Sequence, residues 1–193
     1  MKRKKSGIVP YGFIFMVAIS SAYSVAHADD NARRNEISTK GRFLFKETKN
    51  HCKAFSDLAA FSSTKSSNAL EFIEDLKYVL IGEDLRRRGT GKFYIGNEKG
   101  ARGDSGFKSE LKDNSPQVEH AMAAIWIGKF LPPGSTEIVA LKTEVFGPLT
   151  GEGKLNTADL LLYELGSDIG QRMNNDTRSY KQVSEVITRT MCQ

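Results

Sequence analysis

The sequence predicts an all-α protein: a single domain of five or six helices with one irregular glycine-rich insertion, closed by one disulfide. Apolar residues recur at three- and four-residue steps in segment after segment. Capping residues open those segments, and glycine or proline stops close them. The only two cysteines, Cys52 and Cys192, fall near the two ends of the chain that processing would leave.

Residues 1–28 read as a secretory leader. Lys2, Arg3, Lys4 and Lys5 form a basic start, Phe13 to Val25 an apolar run, and Ala26-His27-Ala28 a small-residue cleavage site. The apolar run falls short of the roughly 20 residues a membrane span needs, so no anchor is expected after cleavage. Four of the 28 basic residues and none of the 23 acidic ones lie in this leader, which leaves 24 against 23 and a net charge of +1. The basic balance of the whole chain is therefore no argument for a nucleic-acid partner. Export to the periplasm or beyond the cell is expected, and there an even pair of cysteines reads as a disulfide. Closing a loop of about 140 residues would constrain the unfolded chain by roughly 5 kcal/mol in the entropy model.

Asp29 to Lys40 is polar and offers little to bury, so a frayed start is expected, with order from Gly41 onward and a helical domain over 41–193. From Lys46 to Phe61, Cys52, Phe55, Leu58 and Ala59 mark an amphipathic helix that the Ser62–Ser67 run ends. Asn68 and Glu71 form a capping-box pattern for the next helix, whose stripe is Leu70, Ile73, Leu76, Val79 and Leu80 and whose stop is Gly82. Residues 83–115 carry six glycines and no sustained period. Lys92-Phe-Tyr-Ile95 suits a short strand there, and a small hairpin could follow from the turn residues after it.

The central helix has the strongest start signal. Asn114 and Ser115 are capping types, Pro116 suits the first helical position, and Val118, Ala121, Met122, Ile125 and Trp126 follow at helical spacing. Another helix begins at Ser135, with Ile138, Leu141, Val145 and Phe146 before Gly147-Pro148. Asn156 caps a fifth, largely apolar one running to Met173. Asp176 caps a sixth, with Val183, Val186, Ile187 and Met191. Gly166 and Gly170, one turn apart, face a predicted contact with the small residues Ala121, Ala124 and Gly128, because glycine inside a helix costs about 1 kcal/mol and argues for a close backbone approach.

Several motifs resemble catalytic or binding signatures only in part. Gly103-Asp-Ser-Gly106 has the letters around the nucleophile of trypsin-like serine proteases, but Phe107-Lys108 replaces the Gly-Pro that follows in that family. Its histidine also precedes the serine, whereas His120 follows Ser105. A different serine hydrolase would use Ser105, His120 and Asp104 or Asp113. Arg102-Gly-Asp104 is the adhesion tripeptide by letters alone. Gly89-Thr-Gly-Lys92 and Gly151-Glu-Gly-Lys154 lack the first glycine and the Ser or Thr of a phosphate loop, so no nucleotide is expected. His51 beside Cys52, and His120 with Gln117 one turn before it, make no metal set, and no cofactor is expected.

Two functional readings come out of these residues. In the first, His120, Gln117 and Glu119 at the start of the central helix meet Asp104, Ser105 and Asp113 from the loop in a polar cleft. Arg86, Arg87 and Arg88, with Phe93 and Tyr94, extend it into a surface for an anionic envelope glycan or a protein partner. In the second, Glu83 follows a helix and precedes Lys92-Phe-Tyr-Ile-Gly96, which resembles in outline the lysozyme-like muramidases, where a catalytic Glu ends a helix before a small sheet. The resemblance implies glycan hydrolysis by Glu83, although no second acidic residue or threonine stands at the matching spacing. The leading expectation is an exported binding protein acting through residues 83–120. A small cell-envelope hydrolase is the alternative, and a secreted toxin or its inhibitor a further one.

Overall fold

A computed structural model describes residues 12–82, 91–96, 103–113, 116–132, 157–176 and 178–193. The described residues hold six α-helices and no strand: α1 (Gly12–Glu47), α2 (His51–Lys65), α3 (Ala69–Leu80), α4 (Gln117–Phe130), α5 (Thr157–Asn175) and α6 (Val183–Met191). Short 3-10 turns, Ser109–Leu111 and Ser179–Gln182, precede α4 and α6. The predicted helix from Ser135 lies outside the described residues, as do Asn114, Ser115 and Asn156. Two compact units emerge, Met1–Arg33 and Arg34–Gln193. In the first, Arg33 Nη2 donates to Asp30 Oδ1 at 2.8 Å.

Helix α1 runs through residues 29–40, the polar stretch where the sequence suggests a frayed start. Its burial is sparse but specific. Ile37 and Ser38 are buried, Ser38 Oγ donates to the Phe93 carbonyl at 2.9 Å, and a Cβ on Gly41 would come within 2.6 Å of Ile95 Cδ1. Arg34 Nε donates to Asp75 Oδ1 at 2.8 Å, and the guanidinium lies 4.0 Å from the Tyr78 ring centroid. Asp75 is wholly buried, so α1 supplies the charge that lets a carboxylate sit inside the α3 packing face. Helical periodicity does not register such an anchor, because a single buried ion pair leaves an apolar count low.

The stripe Cys52, Phe55, Leu58 and Ala59 is buried as predicted, and the helix bearing it starts at His51, after Asn50 Oδ1 accepts from Lys53 N at 2.8 Å. Ser56, on the same helix, reaches α6 through Ser184 O at 2.9 Å and Thr188 Oγ1 at 2.7 Å. In α3, Asn68 Oδ1 caps Leu70 N and Glu71 N, while Glu71 Oε2 accepts from Ser67 N, one residue earlier than a standard capping box. Ile73, Leu76, Val79 and Leu80 are buried, but Leu70 is 53% exposed and Phe72 takes the inward place. Gly82 ends the turn at φ 112°.

The strand expected over residues 92–95 is not formed. Residues 91–96 instead make a turn that docks edge-on: Ile95 N donates to Val79 O at 3.0 Å, and Arg42 Nη2 to Tyr94 O at 3.3 Å. The Phe93 and Tyr94 carbonyls accept from α1 and Ile95 N donates to α3, so these helices satisfy the backbone groups of this piece. The one bridge among the described residues joins Phe107 to Cys192. Asp176 also differs from expectation, because it caps a turn, accepting from Arg178 N at 2.8 Å, and the helix proper starts at Val183.

Among the described residues, the most extensive pairing of helices is α4 with α5. Apart from His120 and Trp126, every α4 residue from Gln117 to Gly128 is buried. The crossing is as close as the glycines predict: a Cβ on Gly166 would lie 2.5 Å from Ala124 Cβ, and one on Gly128 2.6 Å from Ser167 Cα. The Cys52–Cys192 disulfide spans a sequence separation of 140 and ties α2 to the chain end. No helix among the described residues is long and apolar enough to cross a membrane.

Candidate functional site

The Gly103–Gly106 loop lies against the first turn of α2, where backbone N–H groups lack intrahelical partners. Ser105 supplies two of them: its Oγ accepts from His51 N at 3.1 Å and its carbonyl from Cys52 N at 3.1 Å. Ser105 N in turn donates to His51 Nδ1 at 3.2 Å. That bond makes Nδ1 an acceptor and assigns the imidazole proton to Nε2. Ser105 Oγ stands 2.7 Å from the same nitrogen and also contacts the Lys49 carbonyl, which can only accept. The one hydroxyl proton thus faces two acceptors, His51 Nδ1 and the Lys49 carbonyl, and the hydroxyl joins residues 49 to 51 to the loop.

Each glycine of the motif has a local cause. A Cβ on Gly103 would overlap the His51 ring, and Gly106 has φ 76° with the Asn50 side chain where its Cβ would be. On the far side, Lys108 N donates to Met191 O and Gln193 N to Gly106 O, both at 2.9 Å. The protease-like letters thus form a clasp between the start of α2 and the end of the chain, beside the disulfide. Burial lowers the His51 pKa below its usual value, and the nearby Asp104 carboxylate opposes that shift only in part. Ser105 and Asp104, expected to meet His120, meet His51. The available signal was adjacency, since His51 precedes Cys52 and Gly106 lies one residue before the segment bridged to Cys192.

Four other predicted binding residues are part of the core. Gln117 Nε2 donates to Leu111 O at 2.6 Å, and the Tyr94 hydroxyl donates to Glu119 Oε1 at 2.6 Å, both buried. Phe93 is buried as well. Polar residues at the start of an amphipathic helix read as a cleft in one dimension, but here Tyr94 and Leu111 supply their partners. Glu83 and Arg86, Arg87 and Arg88 lie outside the described residues.

His120 is held from α5. Its Nδ1 lies 3.0 Å from Asp159 Oδ1, with both side chains about one-tenth exposed, and the Tyr163 ring is 6.4 Å away. Asp159 occupies the first turn of α5. Immediately before it, Thr157 and Ala158 join Leu161 in an open groove of about 450 Å³, whose other wall is Glu110, Lys112 and Asp113. The Glu110 carboxyl is held below its usual pKa by its own backbone N–H and the Ser109 hydroxyl, so it faces solvent as an anion. Carboxylates, an ammonium, a threonine hydroxyl and an apolar strip suit a ligand with hydroxyl and charged groups. No group of three or more His, Cys, Asp or Glu residues that could hold a metal occurs among the described residues.

Fold and site together define a helical domain, disulfide-closed, with an open groove of mixed charge. The chain matches no family model, no curated protein and no solved structure.

Proposed function

We propose that the protein is exported through its 1–28 leader, cleaved near Ala28, and acts in the periplasm or outside the cell as a binding protein. The carrying observation is the groove in which Asp113, Lys112 and Glu110 face Thr157, Ala158 and Leu161. Its ligand in this reading is an envelope glycan: sugar hydroxyls donate to Glu110 and Asp113 and accept from Lys112, and the Leu161 side of the groove takes the apolar face of a ring. The intramolecular disulfide is compatible with an oxidising compartment. Co-sedimentation with purified cell walls tests it. Wild-type protein should pellet with the walls, and Asp113→Asn with Lys112→Gln should reduce retention roughly tenfold; equal retention by the double variant would remove the groove from consideration.

The hydrolase reading keeps one supporting observation, a carboxylate orienting an imidazole at His120–Asp159. Turbidity of cell-wall suspensions separates the two. Clearing by the wild type that His120→Ala or Glu83→Gln abolishes favours hydrolysis, and retention without clearing favours binding.

A further inference from the structure

A second groove, of about 590 Å³, separates α1 from α2 and is lined by Asn35, Glu36, Thr39, Lys40, Phe43 and Phe61. Glu36, Lys40 and Phe43 share one face of α1, at i, i+4 and i+7. A glutamate one turn before a lysine normally pairs with it. Here Glu36 Oε2 is drawn across to Lys65 Nζ of α2, at 2.5 Å. The Lys40 ammonium is left 5.4 Å from the Phe43 ring centroid and 6.0 Å from that of Phe61, with no acidic partner among the described residues. Lys65 Nζ lies 5.4 Å over the other aromatic wall, Phe61.

We propose that this face docks an acidic, apolar peptide segment of a protein partner, with a carboxylate on Lys40 and a neighbouring leucine or phenylalanine side chain on Phe43. Charge decides the sign of the occupant: two ammonium groups face one carboxylate, so one further carboxylate makes the groove neutral. Exposure decides its size. Phe43 is 57% exposed, and a small molecule resting there would keep much of its surface in water, whereas small-ligand sites bury about 70–90% of theirs. A nucleic acid or other polyanion needs a row of cations, and Glu36 interrupts this one. A helix laid along two antiparallel or crossing helices, presenting an acidic and an apolar residue one turn apart, meets both requirements. This surface is separate from the glycan groove, so either can fail without the other.

The probe is a fluorescein-labelled, alanine-based helical peptide of about 16 residues with glutamate and leucine one turn apart, and its glutamine-for-glutamate twin. Anisotropy titrations against the full protein should show saturable binding of the glutamate peptide. Lys40→Gln and Phe43→Ala should each weaken it roughly tenfold, Lys40→Arg should retain it, and raising salt from about 50 to about 500 mM should weaken it. Phe43 is exposed and Lys40 half-buried, with neither in the core, so circular dichroism melts should match the wild type and rule out misfolding. Absence of saturable binding, equal binding of the glutamine peptide, or wild-type affinity in Lys40→Gln overturns the proposal. A wild-type dimer in light scattering that Phe43→Ala dissociates would make a second copy the occupant and overturn it too.

Discussion

A Cβ placed on Gly170 of α5 would overlap the carbonyl oxygen of Ile125 on α4 and lie 2.5 Å from Lys129 N. Those neighbours are backbone, which cannot swing aside as a side chain can. At Gly166 the nearest atom is the Ala124 methyl, with Ala121 O at 3.1 Å behind it.

Gly170→Ala is therefore expected to cost about 3 kcal/mol, or roughly 10 °C in melting temperature. Gly166→Leu should cost at least as much, since a larger group has to enter the same seam. Leu160→Ala, on the same helix but 48% exposed, should stay within about 0.5 kcal/mol. Thermal melts of the three variants decide it, and a Gly170→Ala protein that melts with the wild type would refute the close crossing.

The clasp at His51 predicts a pH dependence of stability. Its folded pKa is lowered mainly by burial, so the unfolded chain takes up this proton first as pH falls. The contribution is fully present above the usual histidine value of about 6.5 and is lost as pH drops below it toward the folded value. His51→Gln should flatten this part of the profile. Melting temperature followed from about pH 7.5 to pH 5 would show it as a difference between the two proteins; parallel curves would mean that His51 does not titrate against the fold.

The Arg34–Asp75 pair predicts a large effect from a residue in an otherwise polar stretch. Arg34→Ala leaves Asp75 buried without its guanidinium and should cost about 3–5 kcal/mol. The Arg34→Ala/Asp75→Ala double variant should be less destabilised than the two singles added together. Urea denaturation of the four proteins gives the coupling, and strict additivity would show that the contact stabilises nothing.

Much of the helical framework was legible in the chain. The stripes of α2 and α3, the stop at Gly82 and the small-residue seam between α4 and α5 are local patterns, fixed by the helical period and by the cost of glycine inside a helix. The errors share a cause. Leu70 is exposed because Phe72 competes for the inward position, and the 92–95 segment is a docked turn because its backbone groups find partners on α1 and α3. The polar reading of residues 29–40 overlooked two buried residues and one buried ion pair, which no average over a window records.

The candidate site was legible only in part. Asp113 and His120 were singled out from the loop and the central helix, but Asp159, the partner of His120, is 39 residues away in sequence. Gln117, Glu119, Phe93 and Tyr94 carry the chemistry of a cleft, yet their partners are core groups of the same chain. Residue types and spacing by themselves determined helices α2 to α5, the disulfide pairing and the crossing of α4 with α5, because each follows from short-range periodicity or from there being only two cysteines. Which polar groups are spent on holding the fold and which face open grooves was decided by the tertiary structure alone, because a hydrogen-bonding side chain reads the same in sequence whether its partner is solvent, a ligand or a carbonyl folded onto it.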